Sequence, residues 1–119
     1  MAGYRLTHTA QPDIVAILAW TDDQFGEEAR SRYQTLIATA IRDASSPTGA
    51  VAHTPRPELG DDVISWHLAQ SRTHAPGTAV GLPRHFLICR REGDLAVIGR
   101  VLHEAMEPRR HVDARQTWD

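Results

Sequence analysis

Apolar positions in this chain change their spacing along its length, and the changes mark where its elements begin and end. Tyr4-Arg5-Leu6-Thr7-His8 alternates with a period of two, which predicts a short first strand. From Thr9 to Asp13 the pattern reads as a helix start, with a capping hydroxyl and Pro12 in the first turn, where a missing N–H is harmless. Ile14, Ile17, Leu18, Thr21 and Phe25 then follow helical spacing for about four turns, up to Gly26. A second helix begins at once. Glu27 and Glu28 sit in its first turn, where the helix dipole favours negative charge. Its apolar stripe is Ala29, Tyr33, Leu36, Ile37, Ala40, Ile41 and Ala44, with Arg30, Arg32, Gln34 and Asp43 on the other face, and Ser45 to Gly49 end it. A connection this short predicts an antiparallel helical hairpin.

The second half reads as strands. Residues 50–62, with Pro55, Pro57 and Gly60, show no period and are expected to be an irregular connection. Ile64, Trp66 and Leu68 share one strand face, and Ser65, His67 and Ala69 the other. Residues 73–83 form a Gly/Pro-punctuated loop that is apolar for a solvated linker. His85–Arg90 and Leu95–Leu102 are the next two strands, joined by a turn at Glu92-Gly93-Asp94. The near-continuous apolar run of the last strand predicts a central position, buried on both faces. Residues 104–111 suit one or two helical turns interrupted at Pro108, and 112–119 a frayed tail. The predicted fold is α+β: an N-terminal strand and a helical hairpin packed on a three- to four-stranded antiparallel sheet, in the order β-α-α-β-β-β. A chain of 119 residues suits one domain over 1–119, with its core at about 4–111.

Charge changes this picture in one respect. Net charge is only −2, so the whole molecule does not attract nucleic acid, and no sequence-specific nucleic-acid binding is expected. Residues 1–52 hold four Arg against six acids, and residues 53–119 nine of each. Any basic site must therefore be a local patch. All the basic side chains apart from His are Arg, whose planar fork suits carboxylate, phosphate or a protein surface. Nothing reads as a leader or a membrane span, so a cytoplasmic protein is expected.

Candidate chemistry is sparse. Cys89 lies in an apolar run and reads as a small core hydrophobe. His103, His111, Glu104 and Glu107 match no metal-ligand spacing, and no metal or other cofactor is expected. No Gly-x-Ser-x-Gly is present. The pairs Asp22-Asp23, Glu27-Glu28 and Asp61-Asp62 are explained by solvation and helix dipoles. His67 and His85 have the chemistry of a general base near neutral pH, or a structural role. Arg84, Arg90, Arg91 and Arg100 fall on the adjacent last strands, with Arg109 and Arg110 beyond. They suit either internal carboxylates that pin the C-terminal segment or an Arg/His surface for a macromolecule. Val15 and Trp20 sit off the main stripe of the first helix, which suits a partner's amphipathic helix or packing against the 73–83 loop.

The order of elements, with Phe25-Gly26, Ala29 and Tyr33, Pro47 and Gly49, Arg84-His85-Phe86-Leu87, and Arg100-Val101-Leu102-His103 followed by Met106, Arg110 and His111, resembles the ParE toxins of the ParE/RelE superfamily. The likeness spans about Tyr4 to His111, and the 53–62 and 73–83 segments are longer than that pattern needs. The resemblance implies a toxin that binds and inhibits DNA gyrase without catalysing a reaction, neutralised by a ParD-type antitoxin. It implies a target-binding patch or C-terminal clamp at Arg84, His85, Arg100, His103, Met106, Arg109, Arg110 and His111, and antitoxin contacts at Val15, Trp20, Trp66 and Leu68. RelE-type relatives cleave mRNA on the ribosome with basic residues and often a late Tyr. This chain has only Tyr4 and Tyr33 and no Lys, although Arg84, His85 and His103 have the chemistry for phosphodiester cleavage. A non-toxic member that only binds its antitoxin is the third expectation.

Overall fold

The computed structural model describes residues 3–46, 53–77 and 79–119. Its elements are β1 (Gly3–Leu6), α1 (Ala10–Phe25), α2 (Glu27–Ser45), β2 (Thr54–Pro55), β3 (Val63–His67), β4 (His85–Glu92) and β5 (Leu95–His103). Short 3-10 turns lie at Pro57–Leu59, Leu68–Ser71, Pro108–Arg110 and Gln116–Trp118. The fold is α+β, as the periodicities predict. The helical hairpin turns on Gly26 alone, whose φ of 93° lies where a side chain is disfavoured. Among the described residues no helix is long and apolar enough to cross a membrane. Pro47 and Gly49 lie outside the described residues.

The sheet differs from the expected antiparallel layout. It has five strands in the order β1-β5-β4-β3-β2, and β1 runs parallel to β5 while the other pairs are antiparallel. A parallel neighbour requires a crossover, and the helical hairpin provides it. Residues 54–59, expected to be irregular, hold β2 and a 3-10 turn, and Pro108 starts the turn of 108–110 rather than interrupting a helix.

Both faces of the central strands are covered. Leu36, Ile37, Ala40, Trp66, Leu87 and Ile98 pack between helices and sheet, while Val63, Phe86, Ile88, Val97 and Leu102 pack with Leu59 and Trp118 on the other face. A bulge divides β5. Ile88 pairs with Arg100 and Cys89 with Ile98, which leaves Gly99 unpaired. This shifts the alternation by one residue, so Ile98 and Val101 both reach the helix-side core although they are three apart. Gly99 also receives the C-terminal segment. A Cβ there would lie 2.7 Å from the Trp118 ring and 2.9 Å from the Thr117 methyl.

Residues 112–119 are therefore not a frayed tail. Thr117 and Trp118 are buried, the Arg90 guanidinium sits 4.5 Å over the Trp118 ring, and Arg5 donates to the Trp118 and Asp119 carbonyls. Thr9, the expected helix cap, donates its hydroxyl to the Gly99 carbonyl and lies 3.1 Å from the Thr117 carbonyl. Thr7 caps α1 instead by accepting from the Ala10 N–H. Cys89 is buried, and burial pushes its thiol up to about 12, which leaves it inert.

Candidate functional site

The expected Arg/His patch separates into three places. Arg100 is taken up inside the fold. Its Nε and Nη2 donate to both Asp13 carboxylate oxygens at 2.7 and 2.9 Å, and its Nη1 donates to the His111 carbonyl at 2.6 Å. The Val101 N–H donates to the same carboxylate. Strand, helix start and C-terminal segment are thus tied by one bidentate pair, and both partners are largely shielded from solvent. Arg100 is a clamp, and the part of His111 in it is a backbone carbonyl.

Arg84, His85 and His103 form the second place. β4 begins with His85 directly opposite His103 at the end of β5, and the rings stand edge to face with centroids 5.2 Å apart. The Tyr33 hydroxyl from α2 lies 2.6 Å from His85 Nδ1 and accepts from the Arg84 N–H. Burial raises the Tyr33 pKa to about 12, so the phenol keeps its proton, and with the Arg84 N–H on its oxygen, His85 Nδ1 is the acceptor within its reach among the described residues. Burial, with repulsion from His103 and His67, lowers the His85 pKa to about 4, so the ring is neutral near pH 7. The remaining proton of His85 must then sit on Nε2.

His67 and His103 end β3 and β5 in the same way. Nδ1 of each accepts from the backbone N–H two residues on, from Ala69 and Ala105 at 3.0 Å. His67 Nε2 in turn donates to Glu104 at 3.0 Å. Glu104 also accepts from Arg84 at 3.0 Å, and these two bonds hold its carboxyl below the usual carboxylate range. All three histidines have Nδ1 occupied as an acceptor. The cluster is rich in donors and has no free ring nitrogen to take up a proton.

Beside it lies a cavity of about 620 Å³. Trp20, Phe25, Ala29, Val80 and Leu82 form its apolar wall, and Arg32, Tyr33, Arg84, His85 and His103 its polar side. Trp20 and Phe25 meet edge to face at 5.7 Å, and both are more than half exposed, as is Leu82. Trp20 thus belongs with the Arg/His residues. Val15 is exposed on α1 as expected. Trp66 and Leu68 correct the antitoxin-contact expectation, because both are core residues and present no side chain to a partner. Trp66 Nε1 donates to the buried Ser71 hydroxyl. β3 alternates as read up to His67, whereas Leu68 and Ala69, read as strand positions, open the 3-10 turn that follows, and the helices cover the face that carries Trp66.

The third place is the turn after β5. Met106, Arg109 and Arg110 are exposed there. Neither guanidinium has a hydrogen bond or ion pair among the described residues. The sequence reading missed Asp13, Tyr33 and Arg32 as site residues and weighed Glu104 only as a metal ligand. Tyr33 carried a usable signal, being the one residue of the α2 stripe with a polar tip. Among the described residues, no group of three or more His, Cys, Asp or Glu is placed to hold a metal ion. No family model and no curated protein matches the chain.

Proposed function

We propose that this protein is a ParE-type toxin, a cytoplasmic inhibitor of DNA gyrase that acts by binding and is neutralised by a ParD-type antitoxin. The observation that carries the non-enzymatic part is the occupied Nδ1 of His67, His85 and His103. RNA cleavage needs a group that takes the 2′-hydroxyl proton, and none of the three offers a free nitrogen for it. The gyrase part rests on the resemblance of the ordered motifs. The exposed Met106, Arg109 and Arg110 after β5 supply one surface for the target, and Arg84 at the start of β4 a second. Val15 and Trp20, exposed at separate places on α1, supply apolar contacts for the antitoxin.

A ribosome-dependent mRNA endonuclease is the second reading, favoured by the apposition of His85 and His103 beside Arg84. One preparation tested on both targets separates them. Lost supercoiling or trapped gyrase–DNA breaks with intact mRNA supports the first reading. Cleaved mRNA with unaffected gyrase replaces it with the second. Under the first, Arg84→Ala with Arg110→Ala abolishes growth arrest while antitoxin affinity stays within about tenfold. Growth arrest by the double variant at equal expression would move the target surface elsewhere.

A further inference from the structure

The cavity beside Tyr33 has an apolar wall and a donor-rich end, and no internal contact explains either. Three large apolar side chains, Trp20, Phe25 and Leu82, stand more than half exposed around one hollow, although an apolar surface of this kind is costly to leave in water. Arg32 lines the same cavity with no hydrogen bond or ion pair among the described residues. Arg84 spends one donor on Glu104, and the backbone and Tyr33 bonds leave His85 and His103 with their protons on Nε2. Its volume falls in the range of small-ligand sites.

We propose that this cavity is a binding site for a carboxylate carried on a flat apolar stem, with the stem against Trp20, Phe25 and Leu82 and the carboxylate on Arg32, Arg84 and the histidine N–H groups. Charge selects the anion. Arg84 is already paired with Glu104, so Arg32 is the guanidinium of the lining without a charge partner among the described residues, and the site matches a monoanion better than a phosphate dianion. Geometry selects the stem. The aromatic pairs Trp20–Phe25, Tyr33–His85 and His85–His103 are all edge to face, at 76°, 73° and 89°, an arrangement that a further ring can extend. The site shares Trp20 and Arg84 with the surfaces proposed for the antitoxin and the target, and its test is run on the protein alone, without either partner.

Isothermal titration of the full chain with 3-phenylpropionate tests it, run beside 3-phenylpropanol, acetate and phenyl phosphate. The acid is expected to bind saturably with Kd at or below about 1 mM, at least tenfold tighter than the alcohol, acetate or phenyl phosphate. Arg32→Gln, an exposed substitution that leaves the core intact, weakens the acid at least tenfold and the alcohol hardly at all. Trp20→Ala weakens both. Equal affinity for acid and alcohol, or no saturation at ten times that concentration, overturns the proposal. So does wild-type affinity in both variants. The same stem presented as the C-terminal Phe of a short peptide identifies the source. Binding at least as tight as the free acid points to a polypeptide end, and binding of the free acid alone to a small metabolite.

Discussion

Arg100 and His103 are three residues apart on β5, yet one belongs to a closed site and the other to an open one. Around Arg100 every charge is answered from within. Asp13 takes two of its donors, the His111 carbonyl a third, and the Val101 N–H binds the same carboxylate. Around His103 the bonds fix tautomers and orientations but leave protons and an apolar hollow facing outward. A cation inside an apolar strand therefore has no single meaning. The Arg100 guanidinium reaches a carboxylate at the start of α1, so it holds the fold together. At the cavity the available carboxylate, Glu104, is shared between Arg84 and His67, and it leaves Arg32 unanswered. One arrangement stabilises, and the other is available for recognition.

Substitutions sharpen this contrast, beginning with the closed site. Trp118→Ala removes a buried aromatic and its contacts with Gly99 and Arg90, and is expected to cost about 4 kcal/mol in chemical denaturation. A loss under about 1 kcal/mol would mean that residues 112–119 rest on the sheet without supporting it. Arg100→Ala leaves Asp13 shielded and without its charge partner. Its expected cost is about 3 kcal/mol, and the Asp13→Ala/Arg100→Ala double variant should recover part of it. Near-additive losses would show that the pair does not act as a unit. Gly99→Ala drives a methyl into the Trp118 ring, with an expected cost of about 2 kcal/mol that Trp118→Ala largely relieves.

The open site gives smaller effects. Tyr33→Phe removes the donor to His85 and the acceptor for the Arg84 N–H, for about 1 kcal/mol. His85 adds a pH signature. Its folded pKa of about 4 lies below the ordinary 6.5, so between these values the unfolded chain binds the extra proton. The neutral ring's contribution is complete above about pH 6.5 and is lost as pH falls toward about 4. His85→Phe should flatten that part of the stability–pH curve, and an unchanged slope would move the titration to another group. Arg109→Ala and Arg110→Ala sit at the bottom of the scale, within about 0.5 kcal/mol of wild type, because no described residue depends on either side chain.

Local patterns in the sequence carried much of the fold. The stripe from Ala29 to Ala44 sets the buried face of α2, Gly26 sets the hairpin, and the alternating runs on either side of Gly93-Asp94 set β4 and β5. Long-range pairing was invisible. Nothing in Gly3–Leu6 announces a parallel partner some ninety residues away, and the Gly99 bulge matters only because Thr117 and Trp118 arrive from elsewhere to fill it. Alternation grouped Ile64, Trp66 and Leu68, overran the end of β3 by two residues, and carried no information about which face the helices would cover. At the site, Arg84, His85 and His103 were legible from their strand-end positions. Arg32 and Glu104 were not, because a charged residue on a helix face or after a strand looks like any other solvated charge.

The place of β1 has a consequence for the timing of folding. Among the described residues its backbone has one strand partner, β5, which is synthesised after the other four strands of the sheet. The helical hairpin and the β3–β4 pair rest on contacts closer in sequence, so they can form while β1 still waits without a neighbour. Until β5 emerges, the nascent chain carries an open strand near its beginning and an uncovered apolar surface on its helices. Completing one nine-residue strand closes the parallel edge, the helix-side core and the Asp13 clamp in a single event.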